Sequence, residues 1–524
     1  MKRRNFIKTS SSVVLGSVMG SYGARAYSRV NNRMANLLLS MEDTDRVLVM
    51  VFLNGGNDGL NTVVPLDYLS QLNTARANIV QPESSLIELP GTNLGMHSSM
   101  SAMKQLYDEQ KLLIIQNVGY DNPNFSHFRS TDIWMSGSDS DQVINSGWTG
   151  RYMNQEYPNF PFGYPSAEVP HPLAIEIGST SSLLFQGPDT KMGLSINDPS
   201  FFYDLLDNVE APVPEGRAGE RIELIRILQK QSEQYSLRVK EAAEAVNTQS
   251  AYPENELAEK LKIVSRLIAG GLQTRLYLVQ LGGFDTHANQ VESNKTQGNH
   301  SQLLRYTSDS IKAFVDDLEF QGVDDRVLGM VFSEFGRRIK SNFSNGSDHG
   351  TAGPMFMFGP NIQPGVIGSN PVIPDQVFSG DNLPHEFDYR QIYSSIFEQW
   401  FCVPQQDIST NLLGEFDQLN IVKEGLQCQL ATSTDDHRLS AQAGIHIFPS
   451  PAKEQIYVEF ESTGETANIQ VVSLDGKILQ TTSTRQLAAG TQTISMNISH
   501  LGAGNYFVRY ASRKGVQSRQ FMKL

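Results

Sequence analysis

Runs of almost unbroken apolar residues at 46–53, 111–118, 172–178, 275–281 and 326–332 constrain this chain more than any other feature. Each is short, is followed by a polar or glycine-containing loop, and lacks the polar-apolar alternation of a sheet with one wet face. Strands that are apolar on both faces must be covered on both faces. Helical stretches at 219–246, 254–270 and 300–320 supply the cover, and a last strand is expected at 355–358. The pattern predicts an α/β domain over 45–425, a mainly parallel sheet sandwiched by helices. In such sheets ligands sit beyond the carboxyl ends of the strands.

Composition narrows the function. With 39% hydrophobic and 19% charged residues, the chain of 524 residues can bury a large core. A formal net charge of −14 argues against nucleic acid as a partner, because phosphate contacts need a basic face. Two cysteines, Cys402 and Cys428, exclude a disulfide scaffold and a Cys-rich zinc site; they could form one bridge or remain separate thiols. No internal apolar run is long enough to span a bilayer, so no transmembrane helix is expected in the mature chain.

The amino terminus reads as a transport signal over residues 1–26. A basic start precedes a mildly apolar Ser/Gly-rich stretch and the small-x-small site Ala24-Arg25-Ala26. Arg3-Arg4 followed by Phe6-Ile7-Lys8 resembles the twin-arginine signal, which implies the twin-arginine translocase as a partner and export of a folded protein. A general secretory signal with a chance Arg pair is the plainer alternative. At the other end, a polar linker at 431–444 precedes short alternating segments over 445–524, broken by Gly and Asp turns, which predict a small β-sandwich. The F-P-S-P-A-K start, the L-D-G-K turn, the G-x-Y-F-V-R strand and the terminal K-L closely resemble the type A sorting domain of type IX secretion. Ser450 stands where that domain usually has Asn. The resemblance implies passage through the periplasm and outer membrane of a Gram-negative bacterium by the type IX machinery, then release or surface attachment.

The polar clusters at the strand ends carry the candidate chemistry. After the strand at 275–281 come Gly282-Gly283-Phe284-Asp285-Thr286-His287, where Asp285 and His287 can aim at one divalent metal. Asp348 and His349 precede the last strand as a ligand and an orienting partner. Glu334 follows the strand at 326–332 as ligand or base, and Arg337 could clamp an anionic oxygen; a plain Glu–Arg ion pair is the alternative. The loop 54–61 offers Asp58 as a ligand and glycines for close approach to a substrate. Its spacing does not fit a dinucleotide site. Ser126 lies at the start of a helix after the strand at 111–118, either as a helix cap or as a nucleophile beside an anion site.

These motifs, F-L-N-G-G-N-D-G-L-N, N-P-N-F-S-H-F, G-W-T-G-R-Y, G-G-F-D-T-H, S-E-F-G-R-R and the later D-H-G, resemble the domain-of-unknown-function family 1501 over nearly the whole central domain. That family is grouped with the alkaline-phosphatase-like fold, which also holds sulfatases. The grouping implies a metal site for phospho- or sulfo-ester chemistry, with a divalent ion, zinc among the candidates, held by Asp285, His287 and His349. The superfamily usually carries Asp-His where this chain has Glu334-Phe335, so one imidazole is missing there. Asn54 stands where an early Asp is expected, with Asp58 as a substitute. Two functions follow: a metal-dependent hydrolase of a small ester or glycan substrate, or a secreted binding or surface protein on a degenerate hydrolase fold.

Overall fold

The computed structural model describes residues 45–158, 160–178, 181–197, 217–247, 251–426, 428, 446–448, 452–463, 467–473, 478–484, 489–502, 504–512 and 515–523. The signal segment 1–26 and the linker 431–444 lie outside the described residues. The described residues fall into two compact units, one within 45–428 and one within 446–523.

The first unit is built on one large sheet. Its strands are β1 (Val47–Leu53), β2 (Leu112–Gly119), β3 (Ala174–Ile177), β4 (Gly193–Ile196), β5 (Leu276–Leu281), β6 (Val327–Phe332), β7 (Gly353–Phe358), β8 (Gly365–Ile367) and β9 (Phe387–Asp388). The order across the sheet is β8-β2-β7-β6-β1-β5-β3-β4, with β9 also pairing with β2. β1 runs parallel to β5 and β6 on either side, in the register Val51↔Val279 and Val51↔Val331. Only β7 is reversed, antiparallel to both β2 and β6. The loops after β1, β2, β5 and β6 therefore leave the sheet at one edge. Because β7 is reversed, the residues just before it arrive at that same edge.

Alternation within β1 explains its unbroken apolarity. Leu48, Met50 and Phe52 join one core with Trp134, Trp148, Tyr389 and Trp400. Val47, Val49, Val51 and Leu53 join the core on the opposite face with Leu261, Leu304 and Phe314. Each large apolar side chain removed from water contributes roughly 1.5–3 kcal/mol. The helices Arg217–Ala245, Glu256–Ala269 and Asn299–Gln321 fall close to the stretches expected from sequence.

The second unit consists of antiparallel strands in two small sheets. One joins His446–Phe448, Gln455–Thr463 and Ala489–Asn497; the other joins Ala467–Ser473, Ile478–Thr484, Gly504–Ser512 and Gly515–Lys523. Ile456, Val458 and Phe460 from the first sheet and Ile469, Val471, Val508 and Phe521 from the second share one core. Inward residues two apart along each strand are what a sandwich requires.

Cys402 and Cys428 form a disulfide with their Cα atoms 5.2 Å apart. It closes a segment of 26 residues in sequence separation at the end of the first unit. By chain entropy alone a loop of that size stabilises the fold by about 3.5 kcal/mol. A Cys402→Ser, Cys428→Ser variant is expected to unfold at lower denaturant than the oxidised protein by about that free energy. The same midpoint for both in equilibrium unfolding would contradict it.

Candidate metal centre

The edge where the four loops meet is held together by close backbone packing. Gly55, at φ +123°, lies so near the β5 loop that a Cβ there would stand 2.3 Å from the Asp285 backbone nitrogen. The glycines after β1 thus admit the neighbouring loop, whereas the sequence suggested that they admit a ligand. The backbone N–H of Phe284 donates to the carbonyl of Asn54 at 3.2 Å, tying the two loops together.

Three imidazoles converge on Asp285. His287 Nε2 and His349 Nε2 are 2.9 Å apart, and each approaches Asp285 Oδ1, at 3.2 Å and 3.1 Å. His127 Nε2 lies 3.4 Å from Asp285 Oδ2. Ligand atoms of His127, Asp285 and His349 all lie within 4.8 Å of one another. Three different loops supply these histidines: the one after β2, the one after β5, and the hairpin of Arg337–Ser341 with Ser347–His349.

The far nitrogen of each ring faces an acceptor. His127 Nδ1 meets Glu334 Oε1 at 2.8 Å, His287 Nδ1 meets Asp348 Oδ1 at 3.0 Å, and His349 Nδ1 meets the Phe125 carbonyl at 2.7 Å. A carboxylate or carbonyl can only accept, and in each ring the Nδ1 contact is shorter than the Nε2 contact to Asp285, which assigns the proton of the neutral ring to Nδ1. All three Nε2 lone pairs then face the Asp285 carboxylate, and those of His287 and His349 also face each other. Lone pairs so arranged repel unless a cation lies among them, and a carboxylate or carbonyl behind each imidazole is the usual support of metal-binding histidine. The residues fit a divalent ion of borderline softness such as zinc.

The electrostatics agree at Asp285 and His349 and run the other way at His127, whose raised value favours the charged ring. Burial raises the Asp285 carboxyl, but the Arg337 guanidinium that donates to it outweighs burial and holds the group down at about 2. Burial pushes the His349 imidazolium down, which favours the neutral ring. The hydrogen bond to Glu334 pulls His127 up.

The other residues expected from sequence are distributed around this centre. Asp348 stands behind His287 and also accepts from Asn342 Nδ2 at 3.0 Å. Glu334 is fully buried and accepts from the Gly55 N–H at 2.9 Å as well as facing His127. Its place is behind the His127 ring. Arg337 is not an open clamp: it is buried, and its donors go to the carbonyls of Gly55, Gly56, Phe284 and Ser347 and to Asp285 Oδ1 at 2.8 Å. Asp58 is also committed elsewhere, in a buried pair with Arg76 at 2.9 Å. Ser126 occupies the cap position of the helix His127–Ser136, yet its side chain makes no cap hydrogen bond and is exposed. The histidine that sequence reasoning passed over is His127. Its signal was its position after an apolar strand, at the start of a helix.

A cavity of about 490 Å³ opens over the centre, lined by Phe125, His287, Arg338, Asp348, His349 and Ser379. A second, of about 370 Å³, lies at the carboxyl ends of β3 and β5 and holds Glu176 and Lys260 but no imidazole.

The chain belongs to the DUF1501 family, described as proteins of unknown function, which it matches over residues 45–394. Residues 446–523 match the secretion system C-terminal sorting domain. No curated protein matches the chain. Solved structures similar to it include a protein in the alkaline phosphatase superfamily from Vibrio parahaemolyticus, at 8% identity and TM-score 0.32, covering 91% of this chain and 80% of that one. Another is a sulfatase from Pseudoalteromonas sp., at 11% identity and TM-score 0.32, covering 90% and 87%. A third is the alkaline phosphatase of the Antarctic bacterium TAB5, at 11% identity and TM-score 0.26, covering 62% and 94%.

Beneath the centre lies a buried polar floor. Asp58 accepts from Arg76, Gln290 and Ser347, and His300 Nε2 meets Asn57 Oδ1 at 2.9 Å. Burial drives His97 down to about 3 and His300 down to about 4, so both are neutral in the fold. An unfolded histidine takes a proton near pH 6.5. Between that value and about 4 the unfolded chain therefore binds more protons than the folded one. The contribution of these rings is complete above pH 6.5 and drains away as the pH falls. Asp58, held below the ordinary carboxylate range, adds its own loss at lower pH, although burial opposes the effect of Arg76. Thermal unfolding from pH 7.5 to 4 should show a falling Tm, with a shallower slope in His300→Asn. An equal slope in that variant would remove His300 from the account.

Proposed function

We propose that this chain is an exported, metal-dependent hydrolase of phosphate or sulfate esters. The observation that carries the reading is the convergence of three imidazole lone pairs on the Asp285 carboxylate, each ring braced by its own acceptor. Asp285, His127, His287 and His349 would hold the ion. When bound, a divalent ion there supplies a Lewis acid for an ester oxygen and for water.

The chain's own residues do the rest. Glu334, Asp348 and the Phe125 carbonyl keep the protons on the far side of each ring. Arg337 holds the β1 loop, the β5 loop and the hairpin in register, so the donors stay together without rearrangement. The Ser126 hydroxyl, free of capping and next to both His127 and Phe125, is available as the attacking group; otherwise water fills that role. The open cavity admits an ester carried on a larger body such as a glycan.

Elemental analysis of the folded, purified protein tests the reading, together with hydrolysis of aryl phosphate and aryl sulfate esters. About one divalent ion per chain is expected. His127→Ala and His349→Ala should lose both metal and activity. Glu334→Gln should keep the fold and weaken metal affinity by about 10–100-fold. Asp58→Asn should lower stability without emptying the centre. Folded protein with neither metal nor hydrolysis would defeat the proposal in favour of a binding protein of the cell surface.

The sorting domain implies interaction with the type IX secretion system and a secreted or cell-surface location. Among the described residues no helix is long and apolar enough to cross a membrane. For the first membrane we propose the twin-arginine route, on the strength of Arg3-Arg4-Asn5-Phe6-Ile7-Lys8. Replacing both arginines by lysine should trap the full precursor in the cytoplasm, as cell fractionation would show. Normal export of that variant would point to the general secretory route.

A further inference from the structure

Arg338 follows the buried Arg337 on the strand Arg337–Ser341, whose alternation turns one guanidinium inward and the next outward. The inward one has its donors satisfied by backbone carbonyls and Asp285. The outward one is only partly engaged. Arg338 Nε donates to the His349 carbonyl at 3.1 Å and Nη1 to the Ser379 carbonyl at 3.0 Å. Its Cζ stands 5.7 Å from the centre of the Phe125 ring, a distance at which the aromatic face attracts the cation.

Two features make this side chain unlike an ordinary surface arginine. It lines the same cavity as His287 and His349. Among the described residues it forms no salt bridge with a carboxylate within 4.0 Å, and Nη2 donates to no protein group, so the fork is open on one side. Asp348 senses its charge but is already engaged by His287 and Asn342. The two carbonyl bonds and the Phe125 ring fix the guanidinium plane before any ligand arrives. A planar, fixed and uncompensated fork at the mouth of a cation site suits an oxyanion with at least two free oxygens, and a neutral ester offers it nothing.

We propose that Arg338 is the anion-binding residue of this protein, holding the non-bridging oxygens of a tetrahedral phosphate or sulfate group above the metal centre. The assignment rests on the hydrolase reading for the identity of the ester. Its own content is that anion recognition belongs to Arg338, while Arg337 serves the frame.

The test uses the full mature chain loaded with zinc, titrated calorimetrically with inorganic phosphate and with inorganic sulfate, and compares wild type with Arg338→Gln and Arg338→Lys. Metal content is measured on each sample. Arg338→Gln should retain the metal and bind the anion at least ~10-fold more weakly, since a charge-assisted fork is lost. Arg338→Lys should fall between, because a point charge replaces a fork. With an aryl ester as substrate, KM should rise in Arg338→Gln by a larger factor than kcat falls. Equal anion affinity in wild type and Arg338→Gln overturns the proposal, as does a zinc-loaded wild type that binds neither anion. Loss of metal in Arg338→Gln also overturns it, by assigning Arg338 to the support of His349. Metal and anion binding without turnover of any ester would defeat the hydrolase reading while leaving Arg338 as the anion site.

Discussion

The guanidinium of Arg337 is the interaction on which the functional edge depends. It is fully buried, and its donors reach the loop after β1 through Gly55 and Gly56, the loop after β5 through Phe284 and Asp285, and the hairpin through Ser347. These segments share no strand pairing with one another beyond the sheet edge; the Asp58 carboxylate joins them a second time, through Gln290 and Ser347. A buried charge with unfilled donors costs several kcal/mol, and this one is tolerated because every acceptor is in place. Remove it, and four carbonyls and a carboxylate lose their common donor together.

That frame explains why the histidines can be presented with their lone pairs inward. An imidazole is chemically ambiguous until something fixes its tautomer. Here Glu334, Asp348 and a backbone carbonyl do so from outside. Glu334 is itself held by the Gly55 N–H, in the very loop that Arg337 anchors from its carbonyl side. The support of His127 and the support of Asp285 therefore run through the same glycine. This is also why Gly55 tolerates no side chain: the β5 loop occupies the space.

Much of this was legible in the sequence. The apolar runs marked β1, β2, β3, β5 and β6, because strands covered on both faces leave no polar alternation to mistake. The rule that sites form beyond parallel strand ends then pointed to Asp285, His287, Glu334 and Asp348-His349. Short strands such as Gly193–Ile196, Gly365–Ile367 and Phe387–Asp388 escaped notice, since a few residues carry no measurable period. The reversal of β7 was also hidden. Direction is a property of long-range pairing, and it is this reversal that brings His349 to the site from the amino side of its strand. The roles of Arg337 and Asp58 were misjudged for one reason: sequence shows a charge but not whether its partners are buried beside it. The role of His127 was hidden because a helix start shows nothing of which way its first ring turns.

His127 also bears on whether the site is degenerate. The sequence resemblance led to the expectation of an imidazole where Glu334 stands, and Glu334 has another task. From its buried position it holds Nδ1 of an imidazole that arrives from the loop after β2, so the ring enters from another strand with its carboxylate already behind it. A merely eroded centre would leave either a histidine without support or a buried carboxylate without a partner. Glu334 instead has its oxygens satisfied by the Gly55 N–H and His127, while the nitrogen left bare, His127 Nε2, is buried and unpartnered on the side that faces Asp285. The acceptors behind the three rings are in place, and the bare nitrogen His127 Nε2 faces the middle of the centre, which is the pattern a cation would complete.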